Sequence, residues 1–425
     1  MREDIIAPPL PTRATAYGWY VLGLLTLVYV LNFLDRTLIY LLFQPIKKEL
    51  LLTDTQLALL GATAFAIFYT ALGMPFGRLA DKVSRTKLIA GGLVVWSLFS
   101  GLTGFCHSFW TLFACRLMVG VGEATLGPAA LSLISDYFPP ERRATVQSVY
   151  SSGIAVGAGL AFFLGGWLSQ SVGWRWTFYL MSFPGLVVAA LVWFLREKPR
   201  GTMETAAANF TGSDWRVMFS SKPLRYLYLG YALCGLAANS LSIWGATFFA
   251  RNYGVSLLEI GKWAGLASLL VGVPGTLLGG YLADKLRRFG RGGRMGFGAL
   301  LALVAAPLWV IMLFSQSWAT LLPVYFVLLA VSLAWVAPAA ADVHELAGAN
   351  LRGLGIGIFF FSVNLAAYGI GAPLIGKLND KLGATAHPSQ MRYALLVCPL
   401  ACVLSALVLW RGRRALLQEK AEARV

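Results

Sequence analysis

The sequence predicts an all-α membrane protein whose twelve spanning helices form two six-helix halves. Three observations predict it: a composition half as charged as a soluble chain's, twelve apolar runs of spanning length, and a short motif repeated half a chain apart. Of the 425 residues, 58% are hydrophobic and only 13% charged, against about 25% charged in soluble domains. The mean hydropathy is +0.68.

A bilayer core of about 30 Å needs roughly 20 helical residues to cross it. Apolar runs of that length stand at 17–43, 55–79, 86–106, 109–135, 145–169, 174–195, 224–250, 258–282, 294–314, 318–342, 353–377 and 391–411. Lipid offers no partner for a backbone N–H or C=O, so the runs are helices that satisfy their own hydrogen bonds. The first 16 residues are polar and the first run exceeds a signal-peptide h-region, so it is expected to stay as the first helix.

The longest polar stretch, 196–223, carries Arg196, Lys198, Arg200, Arg216 and Lys222. It divides an N-terminal bundle, 1–195, from a C-terminal bundle, 224–425, as a cytoplasmic linker. Asp214 to Phe219 reads as a short amphipathic surface helix.

The formal charge of +16 sets orientation rather than nucleic-acid binding, since no nucleic-acid signature accompanies it. With the N-terminus inside, 25 of the 35 Lys and Arg residues fall in inner segments and 8 in outer ones, leaving Arg36 and Arg116 in the membrane. The excess of positive charge predicts both termini on the cytoplasmic side of the membrane. Cys106, Cys115, Cys234, Cys398 and Cys402 have no metal-ligand spacing. They are expected as small core side chains without a redox or metal role.

Gly77-Arg78-Leu79-Ala80-Asp81-Lys82 ends the second run, and Gly280-Tyr281-Leu282-Ala283-Asp284-Lys285 ends the eighth, 203 residues later. A parallel repeat of this size places a central site between two bundles.

Charges inside the membrane are the sharper signal. An Asp, Lys or Arg at a helix centre costs about 2.5 to 3.5 kcal/mol on insertion scales, so such groups mark function or internal pairing. Asp35 and Arg36 lie on the first helix, Arg116 and Glu123 on the fourth. At 1.5 Å per residue Asp35 is about 12 Å from its outer helix end and Arg116 about 10 Å from its own. Glu123 is seven residues further in, on the face of Arg116 and Gly120. Asn32 and Tyr29 share the first helix's polar face. The second half offers Asn239, Trp244, Asn364 and Tyr368 but almost no intramembrane charge.

The stretch from Gly77 through Asp81 and Arg85 to Lys87 resembles the loop signature of the major facilitator superfamily. Arg116 to Ala124 is similar to that superfamily's fourth-helix motif. Asn32-Phe33-Leu34-Asp35-Arg36, Gly122-Glu123-Ala124, Asp136 to Pro140 and Gly173 to Phe178 resemble the spinster family and its bacterial members. The superfamily resemblance covers the whole chain; the spinster resemblance rests mainly on the N-terminal half. It implies the major facilitator fold, a chain acting as a monomer without cofactor or metal, and transport by alternating access. Animal spinsters are implied to export sphingosine phosphate or lysosomal lysophospholipids. The fifth helix has glycines but no proline, so it lacks the superfamily's antiporter motif.

These readings converge on a proton-coupled secondary transporter of an amphipathic, anionic, lipid-like solute. Glu123 is expected as the main proton carrier, tuned by Arg116, with Asp35 a second carrier or gate partner. Arg36 and Arg116 would meet the head group, with Asn32, Tyr29, Asn239, Trp244 and Asn364 lining the route. Asp81 and Arg85, pairing with each other and with the opposite half, would latch the inner side shut, with Gly77 at the same loop and Asp284 as the weaker copy. The alternatives are a carrier of small carboxylates or drug-like solutes, or a membrane-embedded enzyme. An ATP-driven pump would need a phosphate loop that is not legible, and an enzyme a nucleophile–base pair or metal cluster that the three histidines do not supply.

Overall fold

A computed structural model describes residues 15–139, 142–200, 215–286, 292–347 and 351–422. Among these residues eleven helices are long and apolar enough to cross a membrane, and one of them is double. The 51-residue helix Arg143–Trp193 breaks at Gly173, whose φ of 83° is left-handed, so the spans number twelve. Glycine alone tolerates that conformation without a Cβ penalty.

In chain order the spans are α1 (Ala16–Leu41), α2 (Asp54–Ala58 through Ala64–Ala80), α3 (Arg85–Thr103) and α4 (Phe109–Glu123 and Leu126–Tyr137). They continue as α5 (143–172), α6 (174–193), α7 (Lys222–Tyr253), α8 (Leu257–Ala267 through Val273–Leu286) and α9 (Gly293–Phe314). The last three are α10 (Trp318–Leu333 and Val336–Ala347), α11 (Arg352–Asn364 through Ala372–Lys381) and α12 (Met391–Leu395 and Val397–Glu422). Among the described residues two short α-helices lie outside this set: Phe43–Leu50, which the apolar pattern did not separate from α1, and Trp215–Ser220, where an amphipathic helix was expected. Asp214, the expected start of the latter, lies outside the described residues.

Helix starts are capped as the sequence dictates. Thr15, Ser84, Ser108, Ser221, Ser256 and Ser317 each accept a backbone N–H from the first turn of the following helix. Such caps satisfy donors that the helix itself leaves unpaired.

Several spans are irregular. Single π-helical turns interrupt α2 at Leu59–Thr63, α8 at Ser268–Gly272 and α11 at Leu365–Gly371. The fourth and tenth helices break at corresponding places, after Glu123 and after Leu333. Irregular backbone within a membrane is tolerated where protein surrounds it, and Glu123 and Ala124 are buried.

The two halves meet on the face of the membrane that carries Phe43–Leu50, opposite the α6–α7 linker; we call these the far face and the linker face. Gly159 and Gly166 of α5 face Gly261 and Gly265 of α8, and a Cβ at Gly261 would stand 2.2 Å from the Phe162 carbonyl oxygen. No larger residue permits this approach. Alongside it, Phe43, Trp244, Phe248 and Phe249 are buried in one apolar core shared by both halves.

Candidate functional site

Four charged side chains gather between α1 and α4. Both helices place them by spacing, but the pairing is crossed. Arg36 Nε donates to Glu123 Oε2 at 2.5 Å, and Arg116 Nη1 lies 3.5 Å from Asp35 Oδ2. The sequence reading coupled Glu123 to Arg116, seven residues away on its own helix. The structure couples it to Arg36 of α1, because an arginine side chain spans the helix gap while Arg116 is turned to Asp35. Ser100 of α3, unremarked in the sequence, donates its hydroxyl to Asp35 Oδ1.

Close backbone approach puts Glu123 in this position. A Cβ at Gly122 would lie 2.7 Å from the Gly92 carbonyl oxygen, and one at Gly120 would lie 2.9 Å from that of Phe65. The fourth helix is therefore wedged between α2 and α3, and Glu123 and Arg116 are both 0% exposed. Burying an isolated charge costs many kcal/mol, so such groups persist as pairs. Two acids and two bases make the cluster neutral.

Aromatic rings hold the Arg36 guanidinium on its other sides: it sits 4.3 Å from the Phe65 ring centre, 4.4 Å from Tyr69 and 5.1 Å from Phe33. Cations are attracted to the faces of such rings. Tyr29 stacks on Tyr150 at 4.3 Å beside this group. Several buried polar atoms here have no partner among the described residues: Glu123 Oε1, Arg116 Nε, the Tyr150 hydroxyl and both amide atoms of Asn32. An unpaired buried polar atom is costly, so this is where a polar ligand or a proton would gain most.

The second-half candidates are placed differently. Asn239 donates to its own helix at Gly235 and accepts from the Tyr368 hydroxyl, both at 2.8 Å. Tyr368 in turn accepts at its carbonyl from Thr63 of the other half. Trp244 is sealed in the apolar core of the far face beside Phe43. Asn364 is half-buried at the start of the π-turn of α11.

At the linker face, Arg85 is 1% exposed and its guanidinium is engaged inside its own half. It donates to Asp136 at 2.5 Å, Glu197 at 2.7 Å, Ser132 and the Lys198 carbonyl. Burial opposes ionisation of Glu197, yet hydrogen bonds from Arg85 and Ser84 hold its carboxyl below the usual range. Asp81 caps the end of α2 and is exposed, while Gly77 lies against Pro128 of α4. The Asp284 side chain lies outside the described residues.

The sequence reading missed an ionic lock at the far face. Arg251 of α7 donates to both oxygens of Asp54 at 2.6 and 2.7 Å, and Lys47 reaches the same carboxylate at 2.5 Å. Asp380 of α11 accepts the backbone N–H groups of Asp54 and Thr55 at 2.8 and 2.9 Å, capping α2 from the opposite half. Its charge also complements the positive N-terminal end of that helix. Gln44 with Thr247 and Lys47 with Thr385 also join the two halves toward this face. The Thr53-Asp54-Thr55-Gln56 capping box was legible; the orientation argument weighed only Lys and Arg, so the acids went unread.

The chain matches the Major Facilitator Superfamily over residues 25–367 and again over 227–424. It is 31% identical over 418 residues to an MFS-type efflux pump of Mycolicibacterium smegmatis, covering 96% of each chain. It is 26% identical to protein spinster homolog 3 of Danio rerio, across 95% of this chain and 86% of that one. A crystal structure of a bacterial homolog to the human lysosomal transporter spinster, in an inward-facing and unoccupied conformation, superposes with a TM-score of 0.84 at 24% identity, covering 96% of this chain and 99% of that one.

The fold of two six-helix bundles, with paired charges buried inside the first, defines a multi-pass membrane transporter. The chain belongs to the major facilitator superfamily and is similar to the spinster proteins within it. It is a carrier of small solutes rather than an enzyme.

Proposed function

We propose that this chain is a proton-coupled secondary transporter of an amphipathic, anionic solute of the lysophospholipid or sphingoid phosphate class, working by alternating access. The observation that carries the reading is the ion pair of partly buried Arg36 with fully buried Glu123, its guanidinium ringed by Phe33, Phe65 and Tyr69. Protonating Glu123 removes the counter-charge of Arg36. The freed guanidinium then pairs with an anionic head group, for which its planar donor fork is suited. Proton and anion thus enter together without leaving net charge in the membrane. Arg116 and Asp35 form the second pair, and the unpartnered amide of Asn32 with Tyr29 lines the approach.

The reading places both termini and the linker, 196–223, on the cytoplasmic side of a bacterial inner membrane, with halves at 1–195 and 224–425. The sealed far face is then the outer one and the conformation is inward-facing. In the opposite conformation Asp81 and Arg85, with Gly77 at the same loop and Asp284 in the repeat, would latch the inner side. Asn239, Trp244 and Asn364 would line the apolar side of the route as the far face parts. A second reading, with one relative named an MFS-type efflux pump, is a drug-like or small carboxylate solute handled by the same charges.

The test is uptake into vesicles holding the wild type or Glu123→Gln, with a lysophospholipid panel and an imposed pH gradient. Wild-type flux is expected to follow the gradient and the variant's to ignore it. Equal, gradient-independent flux in both would refute coupling through Glu123. Gradient-driven flux of drug-like solutes alone would select the second reading.

A further inference from the structure

Cys106 and Cys115 were expected to be inert core residues, but the fold brings them together. Cys106 lies in the turn between α3 and α4, and Cys115 on the second turn of α4; their Sγ atoms are 3.6 Å apart. Both are largely buried, at 5% and 9% exposure. Arg175 of α6 fixes the turn by donating to the Gly104 and Cys106 carbonyl oxygens at 2.7 Å each. The same guanidinium is held by Glu49 at 2.8 Å. Cys115 immediately precedes Arg116, the partner of Asp35.

We propose that Cys106 and Cys115 form a reversible disulfide at the far face, a redox-sensitive modification site one residue from the buried Arg116. A disulfide bond is about 2.05 Å long. The sulfurs, 3.6 Å apart, therefore need to close by about 1.5 Å. Cys106 is the attacking group: its hydrogen bond with Cys115 lowers its thiol, with the nearby Arg175 charge acting in the same direction. A thiol lowered in this way carries more thiolate at a given pH.

The oxidant is a small disulfide. The Cys106 thiolate attacks one of its sulfurs, forming a mixed disulfide and expelling one thiolate. Cys115 then loses its proton and attacks Cys106 Sγ, forming the internal bond and expelling the second thiolate. Two protein thiols are oxidised and one external disulfide is reduced to two thiols. With the far face outward, as proposed above, the pair faces the compartment where disulfides persist.

The experiment uses the purified full chain in detergent, incubated with oxidised glutathione, quenched in acid, denatured and alkylated with a maleimide-polymer that shifts gel mobility. Of the five cysteines, two are expected to escape alkylation, and dithiothreitol should restore them. Peptide mass analysis should locate the loss of two hydrogens between Cys106 and Cys115. Cys115→Ser should instead trap glutathione on Cys106. Five alkylatable thiols after oxidation, a wild type that stops at the mixed disulfide, or a bond mapped to Cys398 and Cys402 would each overturn the proposal.

Discussion

Replacing Asp54 by Asn keeps the size of the side chain and removes the charge on which the far-face lock converges. The carboxylate is 0% exposed and receives two hydrogen bonds from Arg251 and one from Lys47. The amide retains at most part of these bonds and leaves Arg251 and Lys47 facing each other without a counter-ion. Breaking a buried ion pair by removing one partner costs about 3–5 kcal/mol. When the far face parts, water solvates both bases and most of that penalty disappears. The closed arrangement should therefore lose about 3 kcal/mol relative to the open one, a shift of about 100-fold in their ratio. Spin labels at Lys48→Cys and Leu382→Cys, both exposed on the far face, would report it through pulsed dipolar distances, with the five native cysteines replaced. Asp54→Asn should convert a short distance into a long or bimodal one. An unchanged distance in a variant that still melts cooperatively would show that the apolar and glycine contacts hold the face shut without the lock.

Two more predictions concern packing and pH. Gly92→Ala puts a methyl group 2.0 Å from Thr125 Oγ1 and 2.6 Å from the Gly122 carbonyl, an overpacking expected to cost about 1–3 kcal/mol; the melting temperature in detergent should fall, and an unchanged value would mean that α3 and α4 slide apart freely. Glu197 titrates below its unfolded value of about 4.3, so the stability it adds is fully present above about pH 5 and is lost as pH falls through its depressed pKa. Melting curves should show the wild type losing stability over that acid range more steeply than Glu197→Gln, and parallel curves would contradict the ion-pair assignment.

The sequence revealed the twelve spans because lipid imposes length and apolarity on each one independently. The pattern misled in detail at Phe43–Leu50, a separate short helix, and at Gly173, where two predicted spans meet in one broken helix with scarcely a loop between them. Periodicity also identified the four membrane charges. It did not determine who pairs with whom, because helical spacing gives neighbours on one helix while Arg36 reaches across to Glu123 of another. The far-face lock was hidden for a related reason: Asp54, Arg251 and Asp380 are 197 and 326 residues from their partners in sequence, and no local pattern links them. Asp136 and Glu197 stood inside stretches already singled out, but as motif and linker rather than as partners of Arg85.

The junction at Gly173 also bears on mechanics. A long loop would absorb displacement, but α5 and α6 are joined through a single left-handed residue, so a push on one end of α5 is transmitted to α6 as along a jointed rod. The glycine face of α5 that touches α8 and the Arg175 clamp on the α3–α4 turn are therefore two ends of one linkage. Lengthening the joint with a few inserted residues should slacken that linkage while leaving both helices intact.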